Sequence, residues 1–87
     1  MATTLILEEF LDLPATGRLA EQLAGAGPAI SLNASGVRHL GGLAAQLILA
    51  ARRTARKRGT GFRVTRPSAE FTAGLTRLGI DPQTFEG

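Results

Sequence analysis

Three times along this chain a short apolar run of strand length gives way to a segment with helical spacing. That alternation constrains the fold more than any other feature. Thr3 to Phe10 alternates imperfectly, with Leu5 and Leu7 on one side and acids following, as an edge strand does. Leu11-Asp12-Leu13 continues it or forms a short extended turn. Pro14 suits the first turn of a helix, where its missing N–H has no partner to lose. Thr16 offers a capping hydroxyl, and Leu19, Ala20, Leu23 and Ala24 recur at helical spacing until Gly25, Gly27 and Pro28. Ala29 to Leu32 reads as a short buried strand, Asn33-Ala34-Ser35-Gly36 as a turn, and Val37 to Leu40 as another extended piece. After Gly41-Gly42 a strong helix runs from Leu43 to Lys57 and stops at Gly59-Thr60-Gly61. Phe62 to Thr65 alternates as a strand. Ser68, with Glu70 behind it, caps a last helix whose apolar face is Phe71, Leu75 and Leu78 and which Gly79 ends.

Strands separated by helices predict crossover connections and an α/β fold. The expected form is a central mixed or largely parallel sheet of about four strands, with helices packed mainly on one face. The 87 residues make a single domain, with its core over about 5–80 and a short polar, frayed tail over 81–87.

Several chemistries are excluded by what the chain lacks. Without cysteine there is no disulfide, no thiol nucleophile and no Cys-based metal site, which fits a reducing compartment. His39 has no acid near it in sequence to orient it. Glu8, Glu9 and Asp12 form a local acidic edge without the look of a paired general acid and base. Gly41-Gly42 is followed by neither the Lys-Ser/Thr of a phosphate loop nor the spaced glycines of a dinucleotide site. The expectation is a protein with no catalytic residue, no metal and no cofactor. The longest apolar stretch, Leu43 to Ala51, is broken by Gln46 and falls far short of the ~20 residues of a membrane span. No leader segment is visible, so a soluble, cytoplasmic protein without a membrane span is expected.

Charge is distributed unevenly. The net charge is only +3, yet no acid occurs between Glu21 and Glu70, and seven of the ten cations lie between Arg52 and Arg66. Cations there complement the negative end of the long helix. The lesser reading is a basic edge for an acidic protein partner. No aromatic residues interleave with them, so nucleic acid is not the expected partner, and a basic nucleic-acid-binding module is the third reading.

On the long helix, at about 100° per residue, Leu43, Leu47, Ala51, Ala44, Ala55 and Ile48 share one arc, and Arg52, Arg53, Arg56, Gln46 and Lys57 the other. Ala45 and Leu49 fall inside the polar arc. They are either ordinary exposed apolar residues or the small apolar centre of a docking patch ringed by polar groups.

The run Ile30-Ser31-Leu32-Asn33-Ala34-Ser35-Gly36-Val37-Arg38-His39-Leu40-Gly41-Gly42-Leu43-Ala44-Ala45-Gln46-Leu47 resembles the central segment of STAS domains, the anti-sigma-factor-antagonist family. Gly61 to Ser68, then Phe71, Leu75 and Leu78-Gly79-Ile80, resemble the family's last strand and helix. Leu40-Gly41-Gly42 followed by Gln46 is similar to the small STAS proteins encoded with bacterial chemotaxis genes. The resemblance implies a non-enzymatic protein-binding adaptor in bacterial signal transduction, with a histidine kinase or an anti-sigma-like, kinase-like regulator as partner. It also implies an alternative, a STAS subunit of a lipid-transport ATPase complex. In antagonist members a Ser or Thr at the helix start is phosphorylated, and the added charge breaks the complex. The family's Asp-Ser/Thr pair matches Gly41-Gly42 here, so no phosphorylation is expected at Gly42, and Ser35 lies upstream of that position. The expected partner-binding residues are Gly41, Gly42, Leu43, Ala45, Gln46 and Leu49. Two glycines allow close backbone approach, and the helix start offers unpaired N–H groups.

Overall fold

The computed structural model describes residues 3–85. Its elements are β1 (Thr3–Ile6), β2 (Phe10–Leu11), α1 (Leu13–Gly25), β3 (Ile30–Asn33), β4 (His39–Leu40), α2 (Gly42–Arg58), β5 (Phe62–Thr65) and α3 (Ala69–Arg77), followed by a 3₁₀ turn at Pro82–Phe85. The longer strands form a parallel sheet in the order β1-β3-β5, and β2 and β4 form a separate parallel pair. This is the expected largely parallel α/β fold. The edge segment, read as one strand to Phe10, is divided between the two sheets.

Register explains why helices cover one side of the main sheet. Thr3, Ile30 and Phe62 lie abreast, as do Leu5, Leu32 and Val64, so these rows place apolar side chains on one face. The alternate rows, Thr4-Ser31-Arg63 and Ile6-Asn33-Thr65, place mostly polar side chains on the other. The core lies under the helices: Leu7, Leu11, Leu19, Leu32, Val37, Leu40, Ile48, Phe71 and Leu75 are buried together there. Burying each large aliphatic side chain contributes roughly 1.5–3 kcal/mol, which makes this cluster the main source of stability.

Local chemistry sets the boundaries. Asp12, rather than Thr16, caps α1: its carboxylate accepts from the Ala15 N–H at 3.0 Å, and the Thr16 hydroxyl donates back to the Asp12 carbonyl. Ser68 caps α3, its hydroxyl oxygen accepting from the Phe71 N–H at 3.0 Å. The same hydroxyl donates to the Val37 carbonyl at 2.6 Å, tying the start of α3 to the turn before β4. Gly59 ends α2 at φ 69°, a left-handed conformation that favours glycine. At Gly74 a Cβ would lie 2.9 Å from the Leu40 Cβ, so glycine is what lets α3 approach β4.

The segment from Asp81 read as a frayed polar tail is packed as far as Phe85. Phe85 is buried, and its ring lies 6.5 Å from that of Phe71 in a tilted arrangement. The composition is polar, but one aromatic is enough to dock a single turn.

One exposed ion pair crosses from the strands to α1. The Arg18 guanidinium donates two hydrogen bonds to Glu8, at 2.8 and 2.9 Å. Those bonds and the positive charge hold the Glu8 carboxyl below its ordinary value of 4.5. A carboxyl lowered in the folded state adds stability above its unfolded value and loses it as pH falls through the folded one. Glu8→Gln is therefore expected to remove a small part of the pH dependence on the acid side of 4.5. Denaturant midpoints of both proteins across that range check this.

Candidate functional site

β2 and β4 run parallel with Leu11 abreast of Leu40, and the Gly41 N–H donates to the Leu11 carbonyl at 3.0 Å. Each strand leads directly into a helix, so the pairing brings the starts of α1 and α2 to the same end of the molecule. Both helices carry a leucine in their first turn, Leu13 and Leu43, and these are 68% and 62% exposed. Phe10, abreast of His39 on the outward side of the strand pair, is 54% exposed. Leu78, just past α3, lies beside Gly42: a Cβ on Gly42 would be 3.8 Å from the Leu78 Cδ2. Four exposed large apolar residues therefore lie on the segments that meet at or beside the β2–β4 pair. The fifth exposed large apolar residue, Ile6, lies on the uncovered sheet face.

The two glycines at this corner play different parts. A Cβ on Gly41 would sit 2.6 Å from the Leu11 carbonyl oxygen, a backbone atom that cannot swing aside. Gly41 is thus required by the strand pair itself. Gly42 faces ordinary packing distance and is exposed. The start of α2 has no side-chain cap, and its first turn contains no acid. Ala45 is the first α2 residue whose N–H reaches a backbone acceptor, the Gly41 carbonyl at 3.1 Å. The preceding N–H groups and the positive dipole end are left for an outside acceptor.

The expected site residues separate into two groups. Gly42, Leu43 and Gln46 are exposed and Gly41 is half-buried. Ala45, expected among the polar residues, is 0% exposed, and Leu49 is half-buried against the core. The proposed Ala45–Leu49 patch is therefore not a surface patch. The cause is that α2 touches both α1 and β5. Two flanking surfaces bury a wider arc than the single sheet contact assumed on the helical wheel. The same rotation leaves Leu43, assigned to the core arc, facing solvent.

Leu13 and Phe10 were missed, and Leu78, expected on the buried apolar face of α3, is exposed just past its end. Leu13 had a legible signal: like Leu43, it opens a helix directly after a short apolar strand. Phe10 had none, because its neighbours come from distant parts of the chain. Asn33, at the end of β3, accepts from the Ser35 N–H at 2.9 Å, and Ser35 itself is exposed. Among the described residues no group of three or more His, Asp or Glu could hold a metal, and no helix is long and apolar enough to cross a membrane.

Residues 2–83 match the family model described as "Mlab, STAS domain". The chain belongs to the STAS family. The match spans both sheets, all three helices and the corner at Gly41. No curated protein and no solved structure is significantly similar to the chain. STAS domains are in general regulatory or interaction modules without catalytic activity, and they mediate protein–protein contacts.

Proposed function

We propose that this STAS domain is a cytoplasmic protein-docking adaptor in bacterial signal transduction, gripping its partner through the corner formed by Gly41, Gly42, Leu43 and Gln46 with Leu13, Phe10 and Leu78. The partner is a histidine kinase or kinase-like regulator, as the likeness to chemotaxis-associated members suggests. The observation that carries this reading is the clustering of exposed leucines beside an uncapped helix start. An apolar centre with unpaired donors around it is the usual anatomy of a binding surface. Gly42 offers no hydroxyl for phosphate, so docking here is not switched at that position.

Capture by the tagged domain, with the bound protein identified, tests the reading. Recovery of a kinase-like protein supports it. Recovery of a transport ATPase supports the alternative, a STAS subunit of a lipid-transport ATPase complex using the same corner. Leu43→Asp is expected to weaken binding ~30-fold or more, the effect of losing a contact worth about 2 kcal/mol, with the melting temperature unchanged. Wild-type affinity in that variant would refute the corner. Incubation with the captured kinase and ATP is expected to leave the domain unmodified, whereas phosphate on Ser35 would reveal a relocated switch.

A further inference from the structure

We propose that the trough between the C-terminal halves of α1 and α2 is a second docking site, and that it takes an acidic amphipathic helix of a partner protein. The trough has a volume of about 660 Å³ and is lined on α2 from Leu47 to Arg58, with none of the corner residues among its lining, so the inference stands independently of the corner. Leu23, Ile30 and Leu47 line it as half-buried residues, and Ala20, Ala24 and Ala50 as exposed ones. Alanines on both helices remove the side chains that would otherwise interlock and close the seam.

Shape argues for a helix over a small molecule. A small-molecule site covers some 70–90% of its ligand's surface, whereas much of this trough's lining is itself open to solvent. On α2 the lining runs from Leu47 to Arg58, about 18 Å at ~1.5 Å per residue. That length accepts three turns of a helix laying an i, i+3/i+4, i+7 stripe along it.

Charge argues for acids on that helix. Arg58 lines the trough and Lys57 adjoins it. Among the described residues the ion pairs are Arg18–Glu8 and Arg38–Glu9, so neither cation is matched. The last turn of α1 has no basic residue, and Glu21 is exposed on that helix. The cationic rim thus lies on the α2 side only, and an occupant with acids along the flank facing α2 meets complementary charge there.

The probe is a synthetic peptide of about 18 residues, long enough to hold helix, with a Leu/Ala stripe and a Glu flank. Its control replaces Glu with Lys. Titrated into the isotope-labelled full chain, the Glu peptide is expected to give saturable amide shifts at Ala24, Leu47, Ala51 and Arg58. Ala50→Glu, at an exposed position, and the double variant Lys57→Glu/Arg58→Glu are each expected to weaken binding at least ~10-fold. Leu43→Asp is expected to leave it unchanged, which separates this site from the corner. Any of three results would overturn the proposal: no shifts in the trough, equal binding of the Lys peptide, or saturation by dodecanoate with none by the peptide. Sedimentation showing that the trough closes on a second copy of the chain would overturn it as well.

Discussion

Gly41→Ala is expected to destabilise the domain by ~3 kcal/mol, at the upper end of what overpacking costs, while its neighbour Gly42→Ala is neutral or stabilising. The added Cβ at position 41 meets the Leu11 carbonyl oxygen at 2.6 Å. Relief would require β2 and β4 to separate, and their hydrogen bond from Gly41 to Leu11 would be lost. Because this strand pair aligns the two helix starts, the damage is expected to reach partner binding too. At position 42 the nearest atom is the end of the Leu78 side chain at 3.8 Å. There the added methyl restricts the unfolded chain, a gain of about 0.4–1 kcal/mol. Urea denaturation of both variants measures the contrast. Equal destabilisation would mean that the two glycines share one role.

Phe71→Ala is expected to have the largest effect of any single truncation. Phe71 is buried at 1% exposure, sits in the first turn of α3 and touches Phe85, so its loss opens a cavity beneath both α3 and the closing turn. Such changes cost ~3–5 kcal/mol. The whole domain has only ~4–13 kcal/mol, from about 0.05–0.15 per residue. The melting temperature is expected to fall by tens of degrees, at roughly 4–8 °C per kcal/mol for a domain of this size. Phe85→Ala removes the same ring contact at a more exposed site and is expected to cost less. A Phe71→Ala protein melting within a few degrees of wild type would show that the ring does not anchor α3.

Much of this fold is legible in the sequence because its signals are local. Gly59 and Gly79 adopt left-handed conformations, Ser68 caps α3, and Phe62 and Val64 alternate with polar residues as a half-buried strand must. What was not legible depends on partners distant in the chain. Thr16 and Asp12 were both able to cap α1, and the choice of Asp12 follows from where β2 ends against β4. Phe85 looked like part of a polar tail because nothing near it in sequence shows that Phe71 awaits it. At the start of α2, Gly42 and Gln46 are exposed, whereas Leu43, which the wheel assigned to the core arc, faces solvent. Ala45 and Leu49 were misassigned because a helical wheel cannot see that α2 is flanked by α1 as well as by β5. Leu49→Asp, attractive on the wheel as a surface probe, would place a charge against the core; Leu43→Asp probes the surface without that cost.

The corner joins exposed apolar side chains to an uncapped helix start whose approach is narrowed by no side chain at Gly42. Membership of the STAS family agrees with a role in binding. NMR cross-saturation from an unlabelled captured partner onto the isotope-labelled domain tests this most directly. Signal loss is predicted at the amides of Leu13, Gly42, Leu43 and Gln46, and little at Arg63, on the uncovered sheet face. Loss concentrated on that sheet face, with the start of α2 untouched, would contradict the account.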